Sequence, residues 1–465
     1  LNHHHSHFLE SVKVLRYSSP LTDTKERFLS YFDDGARDVA SAMARHKAWL
    51  EQQQAGVDAQ SGRVIEADAR LNPSDKQVQG GWLVSWRNQH FGTTNATVGD
   101  LKVQMQLAKD RLVHKGVVIE VSEGDHFAVA VQNPIMRRTA DLHSAGQVVY
   151  TDSTSNIDSC GTTLTLLMVQ GAVFALPLLA ILTRGLAQQD YEAGFTLARK
   201  ILGPHGWGGQ PNPQIFMMDD DEQMSEAIKN VLTPDQVLAG ALIILRCVFH
   251  TLKAIWAWMW EKKNGMEKEH RPLIMGAVRK MMFAKTKFEC LIWCIIAIQR
   301  AKKLAAPQKL TYPKAFKEYL LTKYSRRQEM CVAYRKGLLT RGQNTNNISE
   351  RAVRTVKEDA FMRILSYNPV TVVDVLTNEF EEHFRSKLKD VANNRHPAQL
   401  TIPREYAVLK DRVKHISAAD IKISKDPLWT HVVPSSSTEG VLYYVNMTLG
   451  ICECPQGDNG SLCKH

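Results

Sequence analysis

From Gly146 onward the hydrophobic positions come in short runs, apolar on both faces, separated by amphipathic stretches. GQVVYTD reads as a strand ending at Asp152, and residues 164–169 and 173–182 as two buried strands joined by turn chemistry at Gln170-Gly171. DYEAGFTLARKILG (190–203) carries apolar residues at helical spacing and stops at Gly203. PQIFMMD is a strand ending at Asp219, EQMSEAIKNVL a helix, and ALIILRCVF another buried strand. The order β-β-β-α-β-α-β predicts an α/β domain with three antiparallel strands followed by parallel crossovers. Upstream, RFLSYFDDGARDVASAMARHKAWLEQQQ places helices within 20–75, and the polar, Gly-containing stretch 58–80 reads as a linker. Residues 81–131 mix a helix (VGDLKVQMQLAKDRLV) with short strands (GVVIEVS, HFAVAVQ), a small DNA-binding or dimerisation unit. Downstream, 261–341 is helical, 344–364 and 369–391 predict two more helices, and 405–465 reads as short strands ending in a Cys-rich tail.

One apolar stretch, LTLLMVQGAVFALPLLAILT (164–183), is about long enough to cross a bilayer. Gln170-Gly171 interrupts it and Pro177 lies in its second half, so a buried hairpin is expected and no membrane partner. At roughly 100–200 residues per domain, 465 residues make two to four domains. Hydrophobic residues at 44% and charged residues at 23% are ordinary globular usage and exclude wholesale disorder. Eight scattered cysteines are too few for a disulfide scaffold and point to a reducing compartment. Leu1 opens the chain with no signal-peptide pattern and His465 closes it on a metal-ligand candidate, so a piece of a longer protein is expected.

Charge changes the picture more than composition does. The chain's formal net charge is +10, yet 261–341 alone holds 20 Lys/Arg against 6 Asp/Glu, leaving the remainder at −4. A solvated helical face would account for some of this, but segregated positive charge is the footprint of a phosphate-binding surface. Lys262, Lys263, Arg279, Lys280, Lys285, Lys287, Arg326, Arg327, Arg335 and Lys336 are the candidate DNA contacts.

Two-metal phosphodiester chemistry needs carboxylates converging on one point. In a parallel sheet such ligands gather at the carboxyl ends of strands, where Asp152 and Asp219 both stand. A single Asp after a strand is commonly only a turn or cap; two on neighbouring strands are more specific. Asp219 is followed by Asp220, Asp221 and Glu222, a run that needs a cation or a helix N-terminus to offset it. Glu350, in NTNNISERAVRTVK, falls in the first turns of a helix that Asn344, Asn346 and Asn347 introduce.

YTDSTSN, MMDDDEQMSEAIKNVL, LRCVFHTLKAIWAW and NTNNISERAVRTVK, in that order over roughly 145–365, resemble Mutator-like element (MULE) transposases. The resemblance implies an RNase H-like mixed sheet carrying an Asp-Asp-Glu triad, a Cys-x-x-His pair and an all-α insertion before the Glu. Carried over, the triad is Asp152, Asp219 and Glu350, the pair is Cys247 and His250, and the insertion is the basic segment 261–341. Pro177 would lie on an edge strand, where a missing N–H costs little. Cys247 and His250 alone cannot complete a tetrahedral zinc site, so a structural or DNA-contact role is the expectation for them.

The tail, Cys452-Glu453-Cys454, eight residues, then Cys463-Lys464-His465, offers the four ligands of a closed Zn²⁺ site and resembles a SWIM-type zinc finger. Gly457 and Gly460 let its loop fold back. At the other end, HHHSH followed by FLESVKVLRY resembles the close of a WRKY/GCM-like zinc finger, with His5 and His7 as the fitting pair; a tag remnant is the alternative. The resulting division is 1–17 zinc-finger remnant, 18–75 helical region, 76–140 small α/β unit, 141–260 and 342–404 catalytic domain in two parts, 261–341 insertion, and 405–465 zinc module.

The resemblance implies a nuclear DDE-type transposase. Two Mg²⁺ or Mn²⁺ ions at the triad would serve water attack on double-stranded DNA and then strand transfer by the freed 3′-OH. Two element ends must be held together, so a homodimer or larger assembly is expected on DNA. The alternative is a domesticated relative, resembling the far-red-response transcription factors of plants, that binds DNA without catalysis.

Overall fold

The computed structural model describes residues 15–465 apart from Arg37, Val57, 172–173, 234–241, 341–342, 362–365, 394, 396–408, 410, 415, 427–428, 436, 448–450 and 458–462. His5 and His7 lie outside the described residues, as does Gly460. Leu1–Ala96 and Thr97–His465 are two compact units.

The first unit is helical: α1 (Thr22–Asp33), α2 (Val39–Gln53), α3 (Ala59–Ala67) and α4 (Val84–Phe91). Phe28 and Phe32 of α1 pack with Ala42 of α2 and with Val78 and Leu83 to form its core. Asp38 caps α2, its carboxylate accepting from the Ser41 N–H at 2.7 Å. The expected linker 58–80 instead contains α3, which Asp58 caps by accepting from the Ser61 N–H at 3.1 Å. A short, largely solvated helix with few apolar positions leaves little periodicity to read.

The second unit is mixed α/β. In chain order it contains α5 (Val98–Leu112), β1 (Val118–Val121), β2 (Ala128–Gln132), α6 (Pro134–Ala140), β3 (Val148–Thr154), β4 (Thr163–Gln170), β5 (Ala175–Thr183), α7 (Gln188–Leu202), β6 (Ile215–Met218), α8 (Glu222–Leu232) and β7 (Ile243–Arg246). The seven strands form one sheet in the order β1-β2-β5-β4-β3-β6-β7. β3, β4 and β5 are antiparallel, and β3, β6 and β7 parallel, as the hydrophobic pattern predicts. The apolar stretch 164–183 is the β4–β5 hairpin, and no helix among the described residues is long and apolar enough to cross a membrane.

Two expectations change here. β1 and β2, read from the sequence as part of a separate unit within 76–140, belong to the main sheet, because β2 pairs with β5 from Ala128↔Thr183 to Val131↔Ala180. β5 is therefore an interior strand and not an edge. Yet at Pro177 the strand is still locally an edge, since β2 pairs only with Ala180–Thr183, and a register shift at Leu167/Met168 lies beside it.

Alternation along the strands sorts the two faces. Ala130, Val149, Leu167, Ile181 and Phe216 point to one face and pack with Tyr191 and Phe195 of α7 and with Met224 and Ile228 of α8. Gly194 brings α7 against β5; a Cβ there would meet Ile181 Cγ2 at 2.5 Å. Asp152 has the parity opposite to Val149 and so projects to the other face.

After β7 come α9 (Val248–Trp260), α10 (His270–Met282), α11 (Lys287–Ala305) and α12 (Tyr312–Ser325), an all-helical insertion. Its core includes Ile255, Met259, Ile274, Val278, Met282, Cys294, Phe316 and Leu320. The chain returns as α13 (Asn347–Thr355), packed on β3 and β4, followed by α14 (Pro369–Thr377) and α15 (Glu379–Ala392). The last part is a small antiparallel sheet of β8 (Lys422–Ile423), β9 (His431–Pro434), β10 (Leu442–Asn446) and β11 (Ile451–Cys452), in the order β11-β10-β9-β8.

Candidate active site

β3 and β6 run parallel with Tyr150 opposite Met217, so two residues further along Asp152 stands beside Asp219. β3 continues to Thr154, placing Asp152 within the strand, while Asp219 follows β6 directly. Glu350 comes from the first turn of α13, on the face toward which Asp152 projects. Burial, the Asp219 charge and, more weakly, Glu350 push Asp152 up to about 7, against the Ser153 N–H and the His250 charge. The side chains of Asp219 and Glu350 stay 35% and 34% exposed, open enough to meet a large substrate.

The Cys-x-x-His pair stands beside these acids. The strand predicted to run through Phe249 stops at Arg246, and Cys247 becomes the N-cap of α9. His250 then lies in the first turn, its Nδ1 2.6 Å from Asp219 Oδ1 and 3.5 Å from Glu350 Oε1. Asp219 and then the Cys247 thiol hold the imidazole up to about 10, so in metal-free protein it is an imidazolium. One donor atom each from Asp219, Cys247, His250 and Glu350 lies within 4.8 Å of the other three; Asp152 stands outside this foursome.

Three residues whose part in this site the sequence did not show fix this geometry. Asn346 is fully buried. Its amide donates to Thr151 O at 2.9 Å and to Asp219 Oδ1 at 3.2 Å, and its backbone N–H to Cys247 Sγ at 3.2 Å. Arg246, also buried, donates to Asp219 O at 3.0 Å and Asp221 O at 2.6 Å, which fixes the loop after β6. Arg335 donates to the Arg246 and Glu329 carbonyls and to Asn344 Oδ1.

The acidic run is resolved residue by residue. Asp220 is paired with Lys323 and with Arg326 at 3.3 Å. Asp221 caps α8 through the Met224 N–H at 3.1 Å and accepts from Tyr191 Oη at 3.1 Å. Glu222 meets Arg326 at 2.7 Å and Arg246 at 3.3 Å.

Of the candidate DNA contacts, Lys262, Lys263, Arg279, Lys285 and Lys336 are exposed. Lys280 and Lys287 are exposed and lie over the rings of Trp293 and Tyr334. Arg327 is half-buried against Tyr324 and Tyr334. Arg335 is 0% exposed, so it is a structural arginine and not a DNA contact. Arg326 is engaged by three acids, Asp220, Glu222 and Glu329, and serves the insertion's docking instead.

At the C-terminus, Cys452, Cys454, Cys463 and His465 bring one donor atom each within 4.8 Å of the others and could hold Zn²⁺. The Cys454 N–H points at Cys452 Sγ (3.4 Å) and the Gly457 N–H at Cys454 Sγ (3.2 Å). Hydrogen bonds from the Cys452 and Cys463 thiols, and then the Gly457 N–H, favour the Cys454 thiolate. A Cβ on Gly457 would lie 2.4 Å from Cys452 O, so only glycine fits this close approach to the ligand strand. Its core is small, chiefly Val433, Val445 and the ligand cysteines, which is the situation in which a metal stabilises a fold.

No known protein family matches the chain, and no curated protein is significantly similar to it.

Proposed function

We propose that the chain is a metal-dependent DNA strand transferase of RNase H-like architecture, resembling MULE transposases, with Asp152, Asp219 and Glu350 as its acidic triad. The observation that carries this reading is Asp152 on β3 beside Asp219 after β6, with Glu350 at the start of α13 near enough to act with burial and Asp219 in raising Asp152 to about 7. Such acids repel one another, and a divalent cation relieves the repulsion. The order β5-β4-β3-β6-β7, antiparallel and then parallel, supports the architecture, with β1 and β2 as an addition beyond β5.

Mg²⁺ or Mn²⁺ bound here would supply an activated oxygen nucleophile and stabilise the leaving oxygen of a phosphodiester. Asp152 and Asp219 present carboxylate oxygens from adjacent strands, and Glu350 closes the group from α13. Asn346 orients Asp219, and Arg246 fixes the loop that carries it. The exposed cations of 261–341 supply the phosphate-binding surface. The C-terminal module, resembling a SWIM zinc finger, serves as an interaction unit. A nuclear location and assembly as a dimer or larger on double-stranded DNA belong to this reading.

The test is nicking of supercoiled plasmid in Mn²⁺. Asp152→Asn should slow it about a thousandfold, equivalent to about 4 kcal/mol of transition-state stabilisation. DNA binding should remain near normal. Binding without any nicking by the unaltered chain would instead favour the DNA-binding regulator.

A further inference from the structure

Cys247 and His250 supply two ligands of the kind zinc favours, and the fold supplies two more. We propose that Asp219, Cys247, His250 and Glu350 form a site for a single thiophilic divalent ion of the Zn²⁺ class. This goes beyond the strand-transfer reading and stands without it. Only one corollary rests on that reading: because Asp219 and Glu350 serve both sites, Zn²⁺ here would block Mg²⁺-dependent cleavage.

The donors come from the end of β6, the N-cap and first turn of α9, and the first turn of α13. All four donor atoms lie within 4.8 Å of one another. A tetrahedral zinc site spaces its ligands about 3.3–3.8 Å apart, so small side-chain rotations suffice. His250 Nδ1 is 2.6 Å from Asp219 Oδ1 and 3.5 Å from Glu350 Oε1. Yet neither Nδ1 nor Oε1, both buried atoms, is aligned in a hydrogen bond. Cys247 is fully buried, and its sulfur receives the Asn346 N–H, a second contact that steadies a thiolate ligand. A set of one sulfur, one imidazole nitrogen and two carboxylates suits Zn²⁺; Mg²⁺ takes oxygen donors.

Co²⁺ is the probe, because its thiolate charge-transfer absorption reports sulfur ligands. The reduced, metal-stripped full chain should bind two equivalents. One belongs to the three cysteines and His465 at the C-terminus. The other, at Cys247, should give about a third of that charge-transfer intensity, in proportion to its single thiolate. Cys247→Ser should lose the weaker signal. A Cys452→Ser/Cys463→Ser double variant should keep it. His250→Gln, with folding followed by circular dichroism, reads the same site should Cys247→Ser fail to fold, and should also bind a single equivalent. Two equivalents bound by folded Cys247→Ser or His250→Gln, or none by the double variant, would overturn the site and leave the cluster a partly exposed ion pair. Mn²⁺-dependent nicking by the metal-stripped chain, with no zinc or cobalt present, separates the two readings. Nicking without cobalt at Cys247 sinks this inference alone; cobalt at Cys247 without nicking sinks only strand transfer.

Discussion

Asn346 joins the middle of β3, the loop after β6 and the start of α9 through Thr151 O, Asp219 Oδ1 and Cys247 Sγ. It also begins the helix that bears Glu350. A residue that only capped α13 would leave Asp219 free to rotate; this one holds it. Asn346→Ala removes the amide but keeps the backbone N–H, so the Cys247 contact survives. Titration calorimetry with Mn²⁺ should show affinity weakened about 10–100-fold, the usual scale for a residue that orients a metal ligand. Unfolding by urea should show a loss of about 1–3 kcal/mol, because Thr151 O loses its buried partner. Unchanged Mn²⁺ affinity with the stability loss alone would reduce Asn346 to a structural role. The sequence pointed to Asp152 and Asp219 through their predicted strand ends, and to Glu350 chiefly through the resemblance of the motifs in order. It did not expose Asn346, Arg246 or Arg335. Their partners are mostly backbone carbonyls far away in the chain, and a sequence pattern carries no sign of which carbonyl is left needing a donor. Arg335 shows the same gap from the other side: in a basic segment it looked like one more phosphate contact, yet it is wholly buried.

At the scale of elements, the insertion is docked on the sheet by charge as well as by its own apolar core. Lys323 of α12 and Arg326 just after it meet Asp220 at the end of β6. Burial alone would raise Asp220, but the Lys323 hydrogen bond and charge, with Arg326 and Arg246, outweigh it and hold this carboxyl below its usual range. The sign follows from linkage. A folded-state pKa below the unfolded value of about 3.9 gives stability that is fully present above that value. It is lost as pH falls through the folded-state pKa. Asp220→Ala should therefore cost about 3 kcal/mol at pH 7, since two partly buried cations lose their partner. Urea unfolding at pH 7 and near pH 3 should show the gap between variant and unaltered chain shrinking in acid. A gap that is constant with pH would mean Asp220 acts through packing and not through its charge. The sequence marked the run Asp219 to Glu222 as needing compensation and offered a helix N-terminus as one source. That holds for Asp221, the N-cap, and in part for Glu222 in the first turn; the cations that serve Asp220 and also meet Glu222 come from about a hundred residues downstream and from β7. Local signals of this kind were legible where the partner was local, as at Gly457, and silent at α3, whose apolar face is too short to register.

Across the molecule, strand type and order were legible from Val148 to Arg246 because those strands are buried on both faces and read as continuous apolar runs. The place of β1 and β2 was not: nothing within 118–132 says that its partner is β5, some 50 residues on. The same distinction governs the charge. Segregation of +14 within 261–341 was visible at once, but which cations face outward depended on the fold. Arg326 and Arg335 are committed inside, while Lys262, Arg279 and Lys285 are exposed. Counterion release gives a way to weigh them, because each phosphate neutralised adds about 0.9 to the slope of log affinity against log salt. Replacing Lys262, Arg279 and Lys285 together by glutamine removes only exposed charge and should leave the fold intact. If each meets one phosphate, the slope for a duplex should become shallower by about 2.7, with sequence preference unchanged. The comparison must be made on the slope, since affinity at one salt concentration also falls when net charge falls and no contact is lost. A slope that stays the same would assign the charge of the insertion to solvation and to docking on the acidic loop. The phosphate-binding surface would then have to be sought on another part of the chain.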